Sequence, residues 1–394
     1  MTRVLLFTGK GGVGKTTLSA ASAVACAAAG RRTLVMSTDP AHSLADVLAT
    51  DVVAGRPVAL ADNLWVEHID ARMLLERSWG AVQDYLLSVL SSAGVDTVSA
   101  EELTVLPGAE EVLSLLEVRD KVRSQDYDVV ILDCAPTAET LRLLALPEAL
   151  DWYMRRIWPV ERKVVTALRA PLSRAARMPM PDSGVLDAVE RLHRDLAQVR
   201  EVLTSSQASV RLVMTPDSVV LAEARRTLTS LSLYGYRVDG ALANRMFPPG
   251  RDKWRAGWVA AQSERLEQAR ADLDPIPLLT VPYLDREPVG LAELGELAAQ
   301  VYPDGDPLAL RHVAAPMRME RLGEQIVLVL ALPLAAKGDV DLAERGNELI
   351  VTVGPYRRVL ALPGALQRYR VAGAGLADGV LRVRFWPRDK GRSR

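Results

Sequence analysis

The sequence predicts a doubly wound, mostly parallel α/β sheet that carries an inserted helical subdomain and is followed by a small all-β sandwich. Three observations carry that expectation. Over roughly the first 300 residues, short continuous apolar runs alternate with helical segments, as strands buried on both faces do. Two long stretches, residues 62–125 and 147–206, interrupt the rhythm with Leu, Val, Ile, Trp and Met at helical spacing, which reads as a helical subdomain. From about Met317 the runs become short and alternating, punctuated by Gly338, Gly346, Gly354, Gly364 and Gly379, the spacing of an antiparallel sandwich.

In order along the chain, Val4 to Phe7 reads as a strand, Gly9 to Thr17 as a glycine loop, Leu18 to Ala29 as an Ala-rich helix and Thr33 to Met36 as a second strand. Together they form a βαβ unit. Val129 to Leu132, Val210 to Met214, Val238 to Ala243 and Leu278 to Val281 read as further buried strands. The first domain is expected over residues 1–303 and a Pro- and Gly-punctuated linker over residues 304–316. The sandwich is expected over residues 317–388, with strands at Ile326 to Leu332, Glu348 to Val353, Arg357 to Leu362 and Val380 to Trp386. Residues 389–394 form a charged tail, expected to be disordered.

Composition agrees with two or three domains at about 150 residues each, since the chain has 394 residues. With 49% hydrophobic and 25% charged residues it can bury a large core, which excludes collagen, coiled coil and long disorder. Its 48 Lys and Arg against 49 Asp and Glu give a net charge of −1. It therefore lacks the basic field of a nucleic-acid coat or a polybasic membrane binder, and no nucleic-acid partner is expected. Cys26 and Cys134 alone cannot build a disulfide framework or a four-cysteine zinc site. The uncharged run Thr16 to Gly30 spans 15 residues after a charged loop, too short and wrongly placed for a signal peptide or a membrane span. A reduced, cytoplasmic protein is the expectation.

The string Gly9-Lys10-Gly11-Gly12-Val13-Gly14-Lys15-Thr16 follows a strand and opens a helix, as a phosphate-binding P-loop requires. The bare pattern arises by chance in roughly 1% of chains this long, and the strand–loop–helix context lowers that. The glycines let backbone N–H groups turn toward a phosphate, and the following helix adds its positive end. Lys15 is expected to reach the β- and γ-phosphates of ATP and the Thr16 hydroxyl to ligate Mg²⁺, with Thr17 completing the loop. Val129-Val130-Ile131-Leu132-Asp133 is a buried strand ending in an acid, so Asp133 is expected to hold the Mg²⁺ through water.

Lys10 is a cation that a minimal P-loop does not need, and K-G-G-V-G-K-T resembles the deviant Walker A of dimeric ATPases that include the ArsA/Get group. Ser37-Thr38-Asp39-Pro40-Ala41-His42-Ser43-Leu44 resembles the switch I signature of that group, and Asp133-Cys134-Ala135-Pro136-Thr137 through Pro147 its switch II. The resemblance covers about residues 1 to 303. It implies a homodimer in which Lys10 reaches the partner's nucleotide, and Asp39 acting on the attacking water. It also implies an adenine framed by Asn244 and Pro282, which follow or end two of the strands. Ala138-Glu139 stands where the family has Gly-His, a departure that touches the coupling of the switch and not the metal acid.

Arsenite-pump members bind the metalloid through clustered thiols, which two cysteines in one chain cannot reproduce. Get-type members clamp a zinc with a C-x-x-C pair, and residues 247–270 hold none, so no zinc is expected and any dimer rests on nucleotide and packing. In Get-type proteins the helical insert forms a groove for a client's membrane segment, with a membrane receptor as a further partner. Met154, Ile157 and Trp158 offer apolar, adaptable lining here, beside seven basic residues between Arg155 and Arg177. The apolar residues equally suit the insert's own core, and the basic run fits a solvated helix face better than a contact with anionic lipid or a client's charged flank. The string Asp378-Gly379-Val380-Leu381-Arg382-Val383-Arg384-Phe385 resembles the end of an α-crystallin domain of small heat-shock proteins. The expectation is an ATP-hydrolysing dimeric switch for hydrophobic clients, with an arsenite-efflux ATPase subunit or a slow nucleotide-switched scaffold as alternatives.

Overall fold

The apolar runs do become strands of one sheet: in the computed structural model, which describes residues 1–38, 43–92, 109–134, 183–309 and 314–387, eight strands lie in the order β3-β4-β2-β5-β1-β6-β7-β8. These are β1 (Arg3–Thr8), β2 (Thr33–Ser37), β3 (Val58–Ala61), β4 (Leu64–His68), β5 (Val129–Asp133), β6 (Ala208–Met214), β7 (Val238–Met246) and β8 (Leu278–Pro282). All pairs are parallel except β3 with β4 at one edge. Helices α1 (Lys15–Ala28), α2 (Ser43–Leu48), α3 (Ala71–Ser92), α4 (Ala109–Ser124), α5 (Ser183–Thr204), α6 (Ser218–Tyr234), α7 (Lys253–Leu273) and α8 (Leu291–Val301) accompany the sheet. Strands β1, β2, β5 and β6 are buried along nearly their whole length. Continuous apolar sequence follows from that double cover.

The expected helical stretch over residues 62–125 needs correction at its start, because Leu64–His68 is strand β4, paired between β3 and β2. Glu67 breaks its apolar run, yet the side chain is wholly buried and its Oε2 lies 3.0 Å from Lys121 Nζ on α4, which also pairs with Glu117. Burial pushes the Glu67 carboxyl above its ordinary range while Lys121 pulls it down. An acid can occupy a buried strand when a cation from elsewhere meets it, which local periodicity does not reveal. Helices α3, α4 and α5 pack on one another; the rest of the stretch 147–206, with Met154, Ile157 and Trp158, lies outside the described residues. Among the described residues, no helix is long and apolar enough to cross a membrane.

The described first part of the expected linker, residues 304–309, is more than a tether. Pro307–Ala309 forms a single turn in which Pro307 is buried, and its Pro307 carbonyl accepts from Arg211 of β6, whose guanidinium also donates to the Tyr302 hydroxyl and lies over Phe7. Arg31 pairs with Asp306 at 2.8 Å. The sandwich then follows as a four-stranded sheet, β14-β15-β10-β9, facing a three-stranded one, β11-β12-β13. Its strands are β9 (Met317–Leu322), β10 (Gln325–Ala331), β11 (Val340–Arg345), β12 (Glu348–Val353), β13 (Tyr356–Ala361), β14 (Tyr369–Ala377) and β15 (Val380–Pro387). All seven pair antiparallel. Alternate residues face inward, Leu349, Val351 and Val353 from β12 against Leu381, Val383 and Phe385 from β15, the period of two that a half-buried strand shows. Asp378 and Gly379, both at positive φ, turn β14 into β15, as a tight hairpin requires.

The sandwich rests on α6. Leu233 of that helix belongs to the sandwich core, while Val220, Leu221, Leu228 and Leu231 belong to the core of the large sheet. Arg358 of β13 is 1% exposed and donates to the Leu233 carbonyl. Thr229 Oγ1 donates to Pro333 O at 2.6 Å.

Candidate active site

Strand register assembles the site. Phe7 of β1 and Ser37 of β2 both pair with Asp133 of β5, so the three C-terminal strand ends stop at one level. The strand order also reverses at β1, which has β5 on one side and β6 on the other. Open α/β sheets bind ligands at such a switch point. The P-loop leaves β1 there and enters α1.

Two glycines of the loop are required by space. A Cβ on Gly9 would lie 2.0 Å from the Val213 carbonyl oxygen of β6, and one on Gly14, at φ +94°, 2.3 Å from Asn244 Nδ2. Gly14 also caps α1, with no side chain bonded to the first turn and no acid within it. The first N–H groups of a helix have no partner within it, so here they are available to an anion. Lys10, Gly11 and Gly12 lie on the outer side of the loop, and a Cβ at either glycine would meet nothing within 4 Å. Val13 faces inward and is buried. Lys15 is buried too, with Nζ donating to Lys10 O at 3.2 Å; that bond holds the ammonium folded over the loop.

Thr16 Oγ1 donates to Asp133 Oδ2 at 2.7 Å and lies 3.4 Å from Ser43 Oγ. Asp133 is 1% exposed. A hydroxyl and a carboxylate are hard oxygen donors, and two of them beside a phosphate cradle fit Mg²⁺, which takes few protein ligands and keeps waters and substrate oxygens. Thr38 N donates to Asp133 O at 3.1 Å. Thr38 and Ser43, the residues flanking 39–42, thus both lie at this cluster. Asp39 itself lies outside the described residues, as do Ala138 and Glu139.

Beside the loop opens a cleft of about 400 Å³, lined among others by Gly14, Thr17, Asn244, Arg245, Pro282 and Tyr283. Its size and position suit the base and sugar of a nucleotide whose phosphates occupy the P-loop. Asn244, expected at the base, donates its amide to Val13 O at 2.8 Å and accepts from Arg245 N at 2.8 Å. It therefore braces the P-loop; one amide hydrogen remains for a ligand. Sequence reasoning missed Gln262, which donates to Arg245 O and accepts from Phe247 N. It also missed an aromatic group at the same place. Phe247 stacks on Tyr283 at 5.2 Å and meets Trp254 and Trp258 at 5.8 and 6.1 Å. Two of the chain's seven tryptophans standing four residues apart was the available signal.

Both cysteines are buried. Burial pushes each thiol up to about 12, with Asp133 adding to the effect at Cys134.

Residues 2–303 match the family model described as anion-transporting ATPase, and residues 323–385 match an HSP20-like domain found in ArsA. A Chlorobaculum tepidum protein named "Putative arsenical pump-driving ATPase" is 36% identical over 97% of this chain and 96% of its own length. A Streptomyces coelicolor protein, SCO2128, is 37% identical over 98% and 100%. The ATPase GET3B of Arabidopsis thaliana is 30% identical over 73% of this chain and 75% of its own length.

Proposed function

The chain belongs to the anion-transporting (ArsA) ATPase family and hydrolyses ATP, and on that premise we propose that it is a Mg²⁺-dependent, two-copy switch that handles hydrophobic protein segments instead of arsenite. The observation that carries the choice is the thiol set. Metalloids are soft and bind thiolates. This chain has only Cys26 and Cys134, both buried and both held as thiols by pKa values of about 12. The likeness to GET3B and the apolar residues Met154, Ile157 and Trp158 favour a nonpolar client. A reduced cytoplasmic setting and a membrane receptor belong to the same reading.

In this mechanism the P-loop amides and the α1 N-terminus hold the phosphates, and Lys15 neutralises charge developing at the γ-phosphoryl oxygens. Thr16 and, through water, Asp133 would hold Mg²⁺, which would supply Lewis-acid neutralisation of charge on the phosphates. Asp39 orients a water and takes its proton as the water oxygen bonds to the γ-phosphorus and the bond to the ADP oxygen breaks. The products are ADP and phosphate. Lys10 reaches from a second copy toward the same phosphates, as an arginine finger does. Asn244 and Pro282 frame the base. ATP closes the two copies and hydrolysis reopens them, so the exposure of an apolar groove follows the nucleotide.

The test is purification of Asp39→Asn with ATP and Mg²⁺ under mild conditions, alongside a steady-state ATPase assay with and without arsenite. Proteins sharing one apolar segment, lost when Met154, Ile157 and Trp158 are made polar, support the proposal. Turnover that responds to arsenite and no passenger would overturn it. Turnover no faster in the wild type than in Lys15→Ala would favour the scaffold alternative.

A further inference from the structure

Strand β7 does not keep step with its neighbour to the end. Ala243 pairs with Thr280 of β8 and Met246 with Pro282, so Asn244 and Arg245 stand opposite the single residue Val281. A bulge of this kind re-aims side chains beside a site. Here it sets Asn244 against Gly14, and both Asn244 and Arg245 line the cleft. Arg245 sits at φ +60°, a left-handed conformation that a residue with a Cβ keeps only under outside constraint.

That constraint comes from α7. Gln262 is 6% exposed, and both of its hydrogen bonds among the described residues go to the bulge. Its Nε2 donates to Arg245 O at 3.1 Å and its Oε1 accepts from Phe247 N at 2.7 Å. The main chain decides which end of the amide is which, because a carbonyl only accepts and an N–H only donates. One side chain thus clamps two peptide groups on either side of Met246, whose own carbonyl accepts from Tyr283 N. Inside the clamp, Arg245 N donates to Asn244 Oδ1, and Asn244 Nδ2 donates to Val13 O. Lys15, Thr16 and Asp133 are held by other bonds.

We propose that Gln262 is a positioning residue of the nucleotide site, one that keeps the wall of the cleft in its binding shape before nucleotide arrives. The inference rests on the reading of the cleft as the place of the base and sugar. A wall ordered in advance loses no binding free energy to its own ordering. Because the base lies away from the reacting phosphate, the wall holds substrate and transition state alike, and such uniform binding acts on KM and leaves kcat alone.

The experiment is steady-state ATPase kinetics at saturating Mg²⁺ on the full chain, comparing wild type with Gln262→Met, which keeps the side chain's length without its bonds, and with Gln262→Glu. Gln262→Met is expected to raise KM for ATP ~10-fold, the scale of one hydrogen bond, with kcat within about twofold, which also shows that it folds. In Gln262→Glu the ionised carboxylate accepts from Phe247 N but offers Arg245 O no hydrogen, whereas the protonated acid makes both bonds. Burial favours that neutral form, so the KM of this variant, measured against wild type, should fall toward the wild-type value from about pH 8 to about pH 5. Tyr283→Ala strips a wall of the cleft, leaves the clamp and should raise KM by itself. An unchanged KM in Gln262→Met where Tyr283→Ala raises it overturns the positioning role alone. An unchanged KM in both overturns the reading of the cleft with it. A loss of kcat without a rise in KM, or a Gln262→Glu KM as high at low pH as at high, overturns the clamp and leaves Gln262 a residue of the fold only.

Discussion

Replacing Gly14 by Ala tests whether the P-loop and the cleft wall are one mechanical unit. Gly14 has φ +94°, where a residue with a Cβ costs ~1–2 kcal/mol. The added Cβ would lie 2.3 Å from Asn244 Nδ2, which forces the amide off Val13 O. A buried carbonyl left without its donor costs about 1–3 kcal/mol. Gly14→Ala should therefore destabilise by ~2–5 kcal/mol, and Asn244→Ala, which strands the same carbonyl, by ~1–3 kcal/mol. The two penalties share one lost bond. In the double variant nothing remains for the new Cβ to strike, so its cost should be ~2–5 kcal/mol, with a coupling of ~1–3 kcal/mol relative to simple addition. Calorimetric melting of the nucleotide-free protein reads this at roughly 1–2 °C per kcal/mol for a chain of this size. Melting shifts that add would refute the reasoning, because Gly14 would then be needed for its φ alone.

Thr16→Val and Asp133→Asn should each lower the ATPase rate by ~2 orders of magnitude, about 2.7 kcal/mol, and raise the Mg²⁺ concentration needed for half-maximal rate; an unchanged Mg²⁺ requirement would remove these residues from the metal. At pH 7 a thiol at about 12 is ionised in only ~10⁻⁵ of molecules, so millimolar arsenite should leave turnover unaltered in wild type and in Cys26→Ala/Cys134→Ala alike. Stimulation abolished by the double substitution would contradict this. Arg358→Met strands the Leu233 carbonyl at a cost of ~1–3 kcal/mol; limited proteolysis within residues 304–316 should accelerate while ATPase activity stays within about twofold. Unchanged proteolysis would mean that other contacts hold the sandwich.

The parallel strands were legible because double burial writes itself as unbroken apolar sequence, and the P-loop because strand, glycines and helix follow one another locally. What escaped was decided at a distance. Strand β4 carries Glu67, whose neutralising Lys121 stands more than 50 residues later. Three sandwich strands beyond the four expected, β9, β11 and β14, each lie at a sheet edge, where half the positions meet water and charges such as Arg318, Glu320 and Asp341 blur the period. Asn244 could be named from its place after a strand, but its bond to Val13 spans 231 positions. Gln262 gave no signal at all, since a glutamine on a helix is ordinarily a solvated residue.

The same helix that braces the sandwich also ties it to the catalytic edge. Helix α6 starts beyond β6, whose Val213 carbonyl limits Gly9 to glycine. It contributes Val220 and Leu221 to the core of the large sheet and ends with Leu233 in the sandwich core. Arg211, on β6 itself, fastens Tyr302 and Pro307 beneath that strand. The sandwich is thus attached twice to one strand–helix unit, once through the chain that leads to it and once through its docking face. A small domain on a free linker would sample orientations independently of the nucleotide. Here the contacts of Arg358, Thr229 and Leu233 hold the sandwich to α6. Any rearrangement that ATP imposes on β6 and α6 must carry the sandwich with it or break those contacts, at the expense of a buried guanidinium and a shared apolar surface.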